Sequence, residues 1–237
     1  MEEQPLTHKR RSAAQLLGAL AVLLLATLGF FWRILFTPDA WKPAGGGDLV
    51  SFLFPTYRFA AASLQAGKLP LWNPHLYGGA PFLADMQTGL FYPPNLLLFL
   101  LAPGFPYKAL EWLAVLHVFL AGLFMYLCLR YMEPGRPMRV PAALLGAVAY
   151  MFSDMFIVHF GNMNLIAVAA WLPLIVLLFW RALRARRLGL AAGAGVAFGL
   201  ATLAGHLQIT LYIGLALAVA AAFEAWSKRG RCRDWAW

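Results

Sequence analysis

The chain has 237 residues, of which 62% are hydrophobic and 12% are charged, and its mean hydropathy is +0.68. These values lie outside the range of soluble globular domains and exclude that class. The formal net charge of +9 does not indicate a nucleic-acid partner, because the basic residues form short clusters between apolar segments instead of one basic face. The composition therefore predicts an all-α polytopic membrane protein.

Six apolar segments are long enough, or nearly so, to cross about 30 Å of hydrocarbon as helices that rise about 1.5 Å per residue. Residues 188–226 are too long for one crossing, and the polar break at residues 205–208 divides them into two. The predicted spans are residues 13–36, 107–130, 140–158, 163–181, 188–204 and 208–226. We therefore expect about six transmembrane helices in a single membrane domain that covers residues 1–237.

The first span is predicted to remain attached to the protein as an anchor. Residues 8–11 and the apolar run behind them have the pattern of a signal peptide. The apolar stretch continues to Phe36, however, and no small-residue cleavage site follows it.

The distribution of basic residues predicts the orientation of the spans. If the N-terminus is cytoplasmic, fourteen of the nineteen Lys and Arg residues fall in cytoplasmic loops and in the tail, residues 227–237. This satisfies the positive-inside rule at every turn. The chain is thus predicted to be a multi-pass membrane protein, with residues 37–106 as a large extracytoplasmic loop that faces the periplasm or the cell exterior.

This first loop is predicted to be ordered. It is aromatic and rich in Pro and Gly, whereas disordered segments lack aromatic residues. Loops longer than about fifteen residues are usually functional when they are ordered. Within it, residues 55–66 and 95–102 are expected to form short helices at the membrane interface, since Pro55 suits a first helical turn and Gly67 a helix end.

Small residues and a proline are expected to shape the later spans. Gly189 with Gly193, and Gly195 with Gly199, are spaced as small-residue pairs that allow two helices to approach closely. Pro173 lies inside the fourth span and predicts a kink there. Such a proline is tolerated in a membrane helix, because the carbonyl that loses its hydrogen bond can find another partner.

Several short motifs lie in the first loop and in the later spans. They are Gly-Lys-Leu-Pro-Leu-Trp-Asn-Pro at 67–74, Tyr-Gly-Gly-Ala-Pro-Phe at 77–82, Gln87, Phe-Tyr-Pro-Pro-Asn-Leu at 91–96, Ala-Trp-Leu-Pro-Leu at 170–174 and Ala-Gly-His-Leu-Gln at 204–208. Together with an acidic residue soon after the first span, these motifs resemble the YfhO-type bacterial membrane protein family. The likeness covers nearly all of the chain from Gly47 onward.

The resemblance implies the fold of the C superfamily of glycosyltransferases, which use sugars carried on polyprenyl phosphate, and a role in decorating cell-envelope polymers. Members of that family are several times longer, so the chain is expected to correspond to the N-terminal part of a longer protein. The resemblance also implies that the catalytic base is an acidic residue of the first outer loop. Asp48 is the best positional match, Asp39 and Asp85 are its competitors, and a solvated Asp in a flexible linker is the alternative.

Other polar residues of the loop are candidates for substrate binding. The Arg58 guanidinium matches a lipid-linked phosphate, although an Arg beside a bilayer can instead contact lipid headgroups. Trp72, Asn73 and His75 could hold a sugar by stacking and hydrogen bonding. Their structural alternative is an interfacial Trp next to residues that build turns.

A second set of polar residues lies at the predicted outer ends of the later spans. His159, His206 and Gln208, together with Asp154, could line the floor of the substrate cavity, or they could simply meet water at helix ends. Asp85 and Gln87 complete the candidate substrate-binding set. A divalent cation on His75, Asp85, His159 and His206 is left open, without a metal site being assigned, because no tight ligand spacing supports one.

The sequence therefore predicts a membrane glycosyltransferase-like protein that works on the outer face. Its predicted partners are the lipid bilayer, a polyprenyl-phosphate-linked sugar and a cell-envelope polymer as acceptor. A transporter or flippase-like component is the first alternative, and a scaffold subunit without catalytic activity is the second. Transporters favour broken helices and polar sites at the membrane midplane, whereas the polarity of this chain is concentrated in one loop.

Overall fold

The computed structural model describes residues 4–38 and 48–233, and it describes side chains for residues 13–38 and 48–227. Nearly all of the regular structure in these ranges is helical. The helices are α1 Gln4–Phe30, α2 Trp32–Phe36, α3 Phe54–Gln65, α4 Pro93–Leu101, α5 Tyr107–Tyr131, α6 Val140–Met151, α7 Asp154–Ile157, α8 Met163–Ala185, α9 Leu188–Leu203 and α10 Leu207–Arg233.

Short elements complete the segment between α2 and α5. A π-helical turn, Leu49–Leu53, leads into α3, and a 3₁₀ turn, Met86–Thr88, precedes α4. A two-residue strand β1, Trp72–Asn73, pairs antiparallel with β2, Ala80–Pro81. Helices α3 and α4 lie where the sequence predicts the two loop helices, since a Pro occupies the first turn of each and its missing N–H costs nothing there.

Four helical segments in the described residues are long and apolar enough to cross a membrane. They are Ala13–Phe30, Tyr107–Tyr131, Met163–Ala185 and Leu207–Ser227. A fifth is obtained if Val140–Met151 and Asp154–Gly161, which meet at an angle of 41°, are counted as one broken span. Helix α9 is apolar but has only 16 residues. The chain is thus an all-helical protein of the membrane type, while the number of six spans stays a prediction.

Two of the predicted spans are interrupted, which their apolar sequences do not reveal. The first helix breaks at Phe31, and the third breaks at Phe152 and Ser153. The two breaks face each other, because the ring centroid of Phe30 lies 4.7 Å from that of Phe152 and Phe31 stacks on Phe160 at 5.2 Å. Tertiary contacts between aromatic rings therefore accompany both breaks.

Helices α5 and α8 form the centre of the bundle. They pack against each other, and α5 also contacts α6 while α8 contacts α9. About half of the most apolar stretch of α5 (50%) and of α8 (56%) is buried, against 17% for α1 and 11% for α10. The outer two helices therefore present most of their apolar surface to the surroundings, as expected where lipid replaces water.

The two ends of the bundle differ in chemistry. At the basic end, where α5 and α8 finish, Arg130 donates to Gln15 at 2.9 Å and Arg184 pairs with Glu133 at 2.8 Å. At the loop end, where α5, α8 and α10 begin, the segment 48–106 packs onto the bundle, and Asn164 at the start of α8 donates to the Gln87 carbonyl at 2.7 Å. The clustered basic residues and the long loop thus lie at opposite ends.

Helix α8 continues through Pro173, and the carbonyl that loses its helical donor there accepts a hydrogen bond from another helix. Proline has no N–H, so the carbonyl of Ala169, four residues earlier, lacks its usual helical donor. The Tyr150 hydroxyl of α6 donates to that carbonyl at 2.9 Å. The expected replacement donor is therefore present, while the kink stays a prediction.

The glycines of α9 do not mediate the close helix contact that their spacing predicts. A Cβ built on Gly189, Gly195 or Gly199 would have no atom within 4 Å, and one on Gly193 would only touch Leu178 of α8 at 3.7 Å. Within the described residues, α9 is buried at alanines and not at these glycines. The buried residues of α9 are Ala194, Ala197 and Ala201.

Candidate functional site

A buried polar network attaches the loop segment to the bundle. The Tyr57 hydroxyl of α3 donates to Oδ1 of Asn164 at 2.9 Å, and it accepts from Nδ2 of Asn95 at 3.0 Å. Asn95 also donates to the carbonyl of Gly89 at 3.0 Å, while Asn164 donates to that of Gln87. One side chain from each of α3, α4 and α8 therefore meets at a single point.

The network is closed to water. Tyr57, Asn95 and Asn164 are all buried, and burial raises the pKa of the Tyr57 hydroxyl above its ordinary value, an effect that the hydrogen bond from Asn95 partly opposes. The Tyr57 ring meets the rings of Phe99 and Phe105 edge-on, at 5.1 and 6.0 Å. The hydrogen bonds are therefore embedded in an apolar shell, where an unpaired polar group would be costly.

A second attachment uses the backbone of the turn between α9 and α10. Gly205 there has a φ of +90°, and a Cβ at this position would collide with the carbonyl oxygen of Met86. Only glycine allows both the left-handed conformation and this close approach. The Ala-Gly-His-Leu-Gln motif at 204–208 thus contains the contact between the last two helices and the loop.

A cavity of about 510 Å³ opens beside α3 at the loop end. It is lined by the candidates Arg58, Asn73 and His75, and also by Ser51, Phe52, Pro55, Thr56, Phe59, Ala62 and Leu76. The Arg58 side chain is exposed and makes no hydrogen bond or ion pair with any residue in 13–38 or 48–227. Its guanidinium is therefore the cationic group of this cavity.

The turn at 73–75 orders the polar wall of the cavity. Asn73 is buried, and its Oδ1 accepts from the backbone N–H of His75 at 3.0 Å, which is the geometry of an Asx turn. The His75 ring stands edge-on to Phe59, with 6.0 Å between the ring centroids. Both side chains are thereby positioned by contacts within the loop segment.

Trp72 does not join Asn73 and His75 in the cavity. Successive residues of a strand point to opposite faces, so Trp72 in β1 points away from the cavity that Asn73 lines, and its side chain is half exposed. A Cβ on Gly79 would lie only 2.7 Å from the Trp72 ring. The indole therefore covers the glycine turn of the β1–β2 hairpin, while its role in sugar binding stays a prediction.

Of the three candidate bases, Asp48 lies nearest in sequence to the cavity. It precedes the π-helical turn Leu49–Leu53, which contributes Ser51 and Phe52 to the lining, and it is exposed. Asp39 lies outside the described residues. Asp85 has a local structural role, because its carboxylate accepts from the backbone N–H of Gln87 at 2.9 Å and begins the 3₁₀ turn.

Gln87 contributes to the fold through its backbone. Its N–H is bound by Asp85 and its carbonyl accepts from Asn164. Neither Asp85 nor Gln87 lines the cavity beside α3. The motif residue at position 87 therefore lies where the loop meets α8.

The polar residues at the ends of the later spans are not brought into the cavity beside α3. His206 accepts from the backbone N–H of Ile209 at 3.4 Å, and partial burial lowers the pKa of its imidazole. Gln208 donates to the Tyr212 hydroxyl at 2.8 Å. His159 and Asp154 are likewise absent from the lining of this cavity, and a common floor formed by these four residues stays a prediction.

The described residues do not provide a set of ligands for the divalent cation whose binding the sequence leaves open. Within the described residues, no group of three or more His, Cys, Asp and Glu side chains is arranged to hold a metal ion. Three of the four suggested ligands lie in separate parts of the loop end, because His75 lines the cavity, Asp85 caps a turn and His206 accepts from the backbone of α10.

Sequence reasoning missed an ion pair inside the second span. The carboxylate of Glu111 is fully buried in α5 and lies 2.9 Å from Nζ of Lys108, which also donates to the carbonyl of Ile34 in α2 at 2.9 Å. An ionisable residue within a predicted span indicates a buried partner or a wet site. That signal was present at position 111, and it locates the pair that ties α2 to α5.

A second missed group is a hydrogen-bonded chain that links α8, the start of α4 and α5. Trp171 donates to the Tyr92 hydroxyl at 2.8 Å, Tyr92 lies 2.8 Å from Nε2 of His117, and Nδ1 of His117 lies 2.7 Å from the Leu113 carbonyl. Since a carbonyl only accepts, Nδ1 carries the proton and Nε2 accepts from Tyr92. Burial raises the pKa of Tyr92 to about 12.

Comparison of the chain with protein-family models, with curated proteins and with solved structures finds no match. The likeness to the YfhO-type family accordingly rests on the motifs alone. What the described residues establish is an all-helical fold of the membrane type whose loop end carries a cavity beside α3 that includes the polar side chains of Arg58, Asn73 and His75.

Proposed function

We propose that the chain is a glycosyltransferase-like membrane protein that transfers a sugar from a polyprenyl-phosphate donor to a cell-envelope acceptor. The observation that carries the proposal is the convergence of Arg58, Asn73 and His75 on one cavity of about 510 Å³. A cation and two hydrogen-bonding side chains in a concave site suit a phosphate joined to a sugar. An exposed cation without an ion-pair partner among the described residues is free to meet an anionic ligand.

The proposal places the loop end outside a bacterial inner membrane and the N-terminus in the cytoplasm. The grouping of basic residues at the opposite end of the bundle supports this orientation, because cytoplasmic loops carry an excess of Lys and Arg. In this arrangement, six spans hold residues 37–106 as an extracytoplasmic loop. The cavity then lies near the outer interface, where the phosphate of a membrane-bound donor resides.

Three residues of the cavity have a proposed role in substrate binding. Arg58 binds the donor phosphate through its guanidinium and stabilises the charge that develops on it. Asn73 and His75 hydrogen-bond the sugar, since the Oδ1 of Asn73 is engaged by the turn and its NH₂ group is left to donate.

Asp48 is the proposed general base. Its carboxylate takes the proton from an acceptor hydroxyl while that oxygen forms a bond to the anomeric carbon of the sugar. The bond between the anomeric carbon and the phosphate oxygen breaks, and polyprenyl phosphate leaves with the electron pair. The position of Asp48, three residues before Ser51 of the lining, supports this role.

Substitution of Asp48 tests the proposed chemistry. Purified full-length chain in proteoliposomes would receive polyprenyl-phosphate-[¹⁴C]glucose and cell-envelope fragments, and the label that moves from the lipid to the envelope fraction would be counted. We expect Asp48→Asn to reduce the transfer rate by about 100-fold or more, because a positioned base contributes about 10²–10⁴-fold. Asp154→Asn, an exposed acid that does not line the cavity, is the matched control and should retain full activity.

Substitution of Arg58 separates binding from chemistry. Arg58→Gln should raise the donor KM by about 10-fold or more, since hydrogen bonds to charged groups contribute about 1.5–3 kcal/mol. Lys68→Gln removes one charge from the same loop segment and is expected to leave KM unchanged. Transfer that persists in both Asp48→Asn and Arg58→Gln would refute the proposed site.

A transporter or flippase-like role is the second candidate, and the break between α6 and α7 is the observation that favours it. Transporters use interrupted helices to form their binding sites, and these two helices meet at 41°. The cavity that contains Arg58 lies beside α3, however, and the break is lined by Phe30, Phe31 and Phe152. Movement of the labelled donor lipid between leaflets, without transfer of its sugar, would identify this alternative.

A further inference from the structure

A second cavity of about 590 Å³ lies at the basic end of the bundle, between α8, α9 and α10. Its walls are almost wholly apolar and include Phe179 and Leu183 of α8, Phe198 of α9 and Leu217 of α10. The turn that joins α8 to α9 adds two charged residues, Arg186 and Arg187. The cavity is thus an apolar groove with a cationic end.

The groove exists because α9 carries small side chains where it passes the other two helices. Ala191, Ala194 and Gly195 belong to its lining, and a Cβ added to Gly195 would meet no atom within 4 Å. Helix α10 does not fill the space, since only 11% of its most apolar stretch is buried. In a bilayer, such a gap between helices is filled by a lipid chain.

The two arginines at the end of the groove differ from a neighbouring one. Arg184 pairs with Glu133 at 2.8 Å and lies over the Trp180 ring at 4.8 Å. The side chains of Arg186 and Arg187 are exposed and form no hydrogen bond or ion pair with any residue whose side chain the structure describes. The groove therefore ends in two positive charges that lack a counter-charge in this part of the chain.

The backbone of Arg186 adds an independent indication. This residue ends α8 in the left-handed conformation, with a φ of +51°. Glycine is the usual residue at such a helix end because it has no Cβ. An arginine in this conformation instead places a cationic side chain at the groove, and strained non-glycine residues of this kind cluster at functional sites.

From these observations we propose that the groove binds one acidic phospholipid. An acyl chain lies along the apolar walls between α8, α9 and α10, and the headgroup phosphate lies between Arg186 and Arg187. The apolar walls favour a lipid over a free anion, and the two unneutralised charges favour an acidic headgroup over a zwitterionic one. The site is at the opposite end from the cavity beside α3 and does not depend on the proposed transfer reaction.

Lipid titration of the purified full-length chain in a mild detergent tests the site. Dioleoyl-phosphatidylglycerol and dioleoyl-phosphatidylcholine would be added separately, with the midpoint of thermal unfolding followed by tryptophan fluorescence and bound lipid counted by native mass spectrometry. We expect the acidic lipid to raise the midpoint at concentrations about 10-fold lower than the zwitterionic one. Glycerol phosphate, which has the headgroup chemistry without acyl chains, should leave the midpoint unchanged.

Three variants distinguish the site from general surface charge. Arg186→Gln with Arg187→Gln should abolish the preference for the acidic lipid. Gly195→Leu should block the groove and weaken binding of both lipids. Arg136→Gln with Arg139→Gln removes the same charge from exposed positions at the same end that do not line the groove, and it should leave the preference intact.

Arg186→Gly guards against misfolding, because glycine suits the left-handed helix end and should not lower stability. Its lipid preference should still fall, since one guanidinium is lost. The proposal is overturned if the unmodified chain shows no preference between the lipids, if glycerol phosphate stabilises as well as the lipid, or if the Arg136 and Arg139 pair loses the preference to the same extent.

Discussion

Asn164 connects three parts of the chain although it is only the second residue of α8. Its amide accepts from Tyr57 of α3 and donates to the carbonyl of Gln87 in the loop. Removing it would leave a buried hydroxyl without an acceptor and a backbone carbonyl without a donor. The contribution of Asn164 to stability comes mainly from keeping these two buried groups satisfied, since each unsatisfied group would cost about 1–3 kcal/mol.

Asn164→Ala is therefore expected to lower the free energy of unfolding by about 2–4 kcal/mol. The measurement is an unfolding titration with sodium dodecyl sulfate in mixed micelles. Asn162→Ala is the matched control, because the Asn162 side chain does not cap α8. An equal loss of stability in both variants would mean that Asn164 acts through helix formation and not through the network.

For single residues, the sequence indicated which side chains are chemically suited to a site better than it indicated which residues those side chains contact. It singled out Arg58, Asn73 and His75, which share a cavity, but it also grouped Trp72 with them. It missed Glu111 and His117 inside a predicted span. A side chain's partner comes from distant parts of the chain, and no local pattern specifies it.

Among the helices, the pair α6 and α8 offers the most direct test of how an apolar bundle tolerates proline. The carbonyl of Ala169 loses its helical donor at Pro173, and the hydroxyl of Tyr150 replaces that donor from the neighbouring helix. The proline on α8 and the tyrosine on α6 are thus energetically coupled through one oxygen atom.

A double-mutant cycle measures this coupling. We expect Tyr150→Phe to cost about 1 kcal/mol in the unmodified chain, as the loss of one hydrogen bond does. In a Pro173→Ala background the restored N–H can donate to Ala169, so the cost of Tyr150→Phe should fall toward zero. Additive effects of the two substitutions, read from the same detergent unfolding titration, would contradict the coupling.

Helix positions were predictable because apolar runs and terminal prolines are local signals. The loop helices were expected at residues 55–66 and 95–102, and they occur as Phe54–Gln65 and Pro93–Leu101. The breaks at Phe31 and Phe152 were not foreseen, since neither position carries a glycine or a proline. They occur where aromatic rings of different helices pack against one another.

In the molecule as a whole, the clustered basic residues and the long loop lie at opposite ends of the helix bundle. The basic turns lie at one end and the cavity beside α3 at the other, which predicts opposite sides of a membrane for the two. The orientation is independent of the proposed chemistry and can be determined alone.

Cysteine labelling in intact cells determines the orientation. In a chain whose Cys128 and Cys232 have been replaced by Ala, Tyr77→Cys at the loop end should react with an impermeant maleimide, since Tyr77 is 90% exposed. Arg136→Cys at the basic end should react only after the cells are permeabilised. The reverse pattern would place the cavity on the cytoplasmic side, where the proposed extracytoplasmic transfer cannot occur.

The sequence by itself determined that this is a helical protein of the membrane type, approximately where its helices lie, and that the loop after the first of them is rich in polar and aromatic groups. These properties follow from hydropathy, helix length and terminal residues, which act over a few turns of chain. The tertiary structure alone decided that Tyr57, Asn95 and Asn164 meet, that Trp72 turns away from Asn73, and that a groove ends at Arg186 and Arg187. Such arrangements depend on which surfaces pack together, because burial and hydrogen-bond satisfaction are properties of contacts between segments that are distant in the chain.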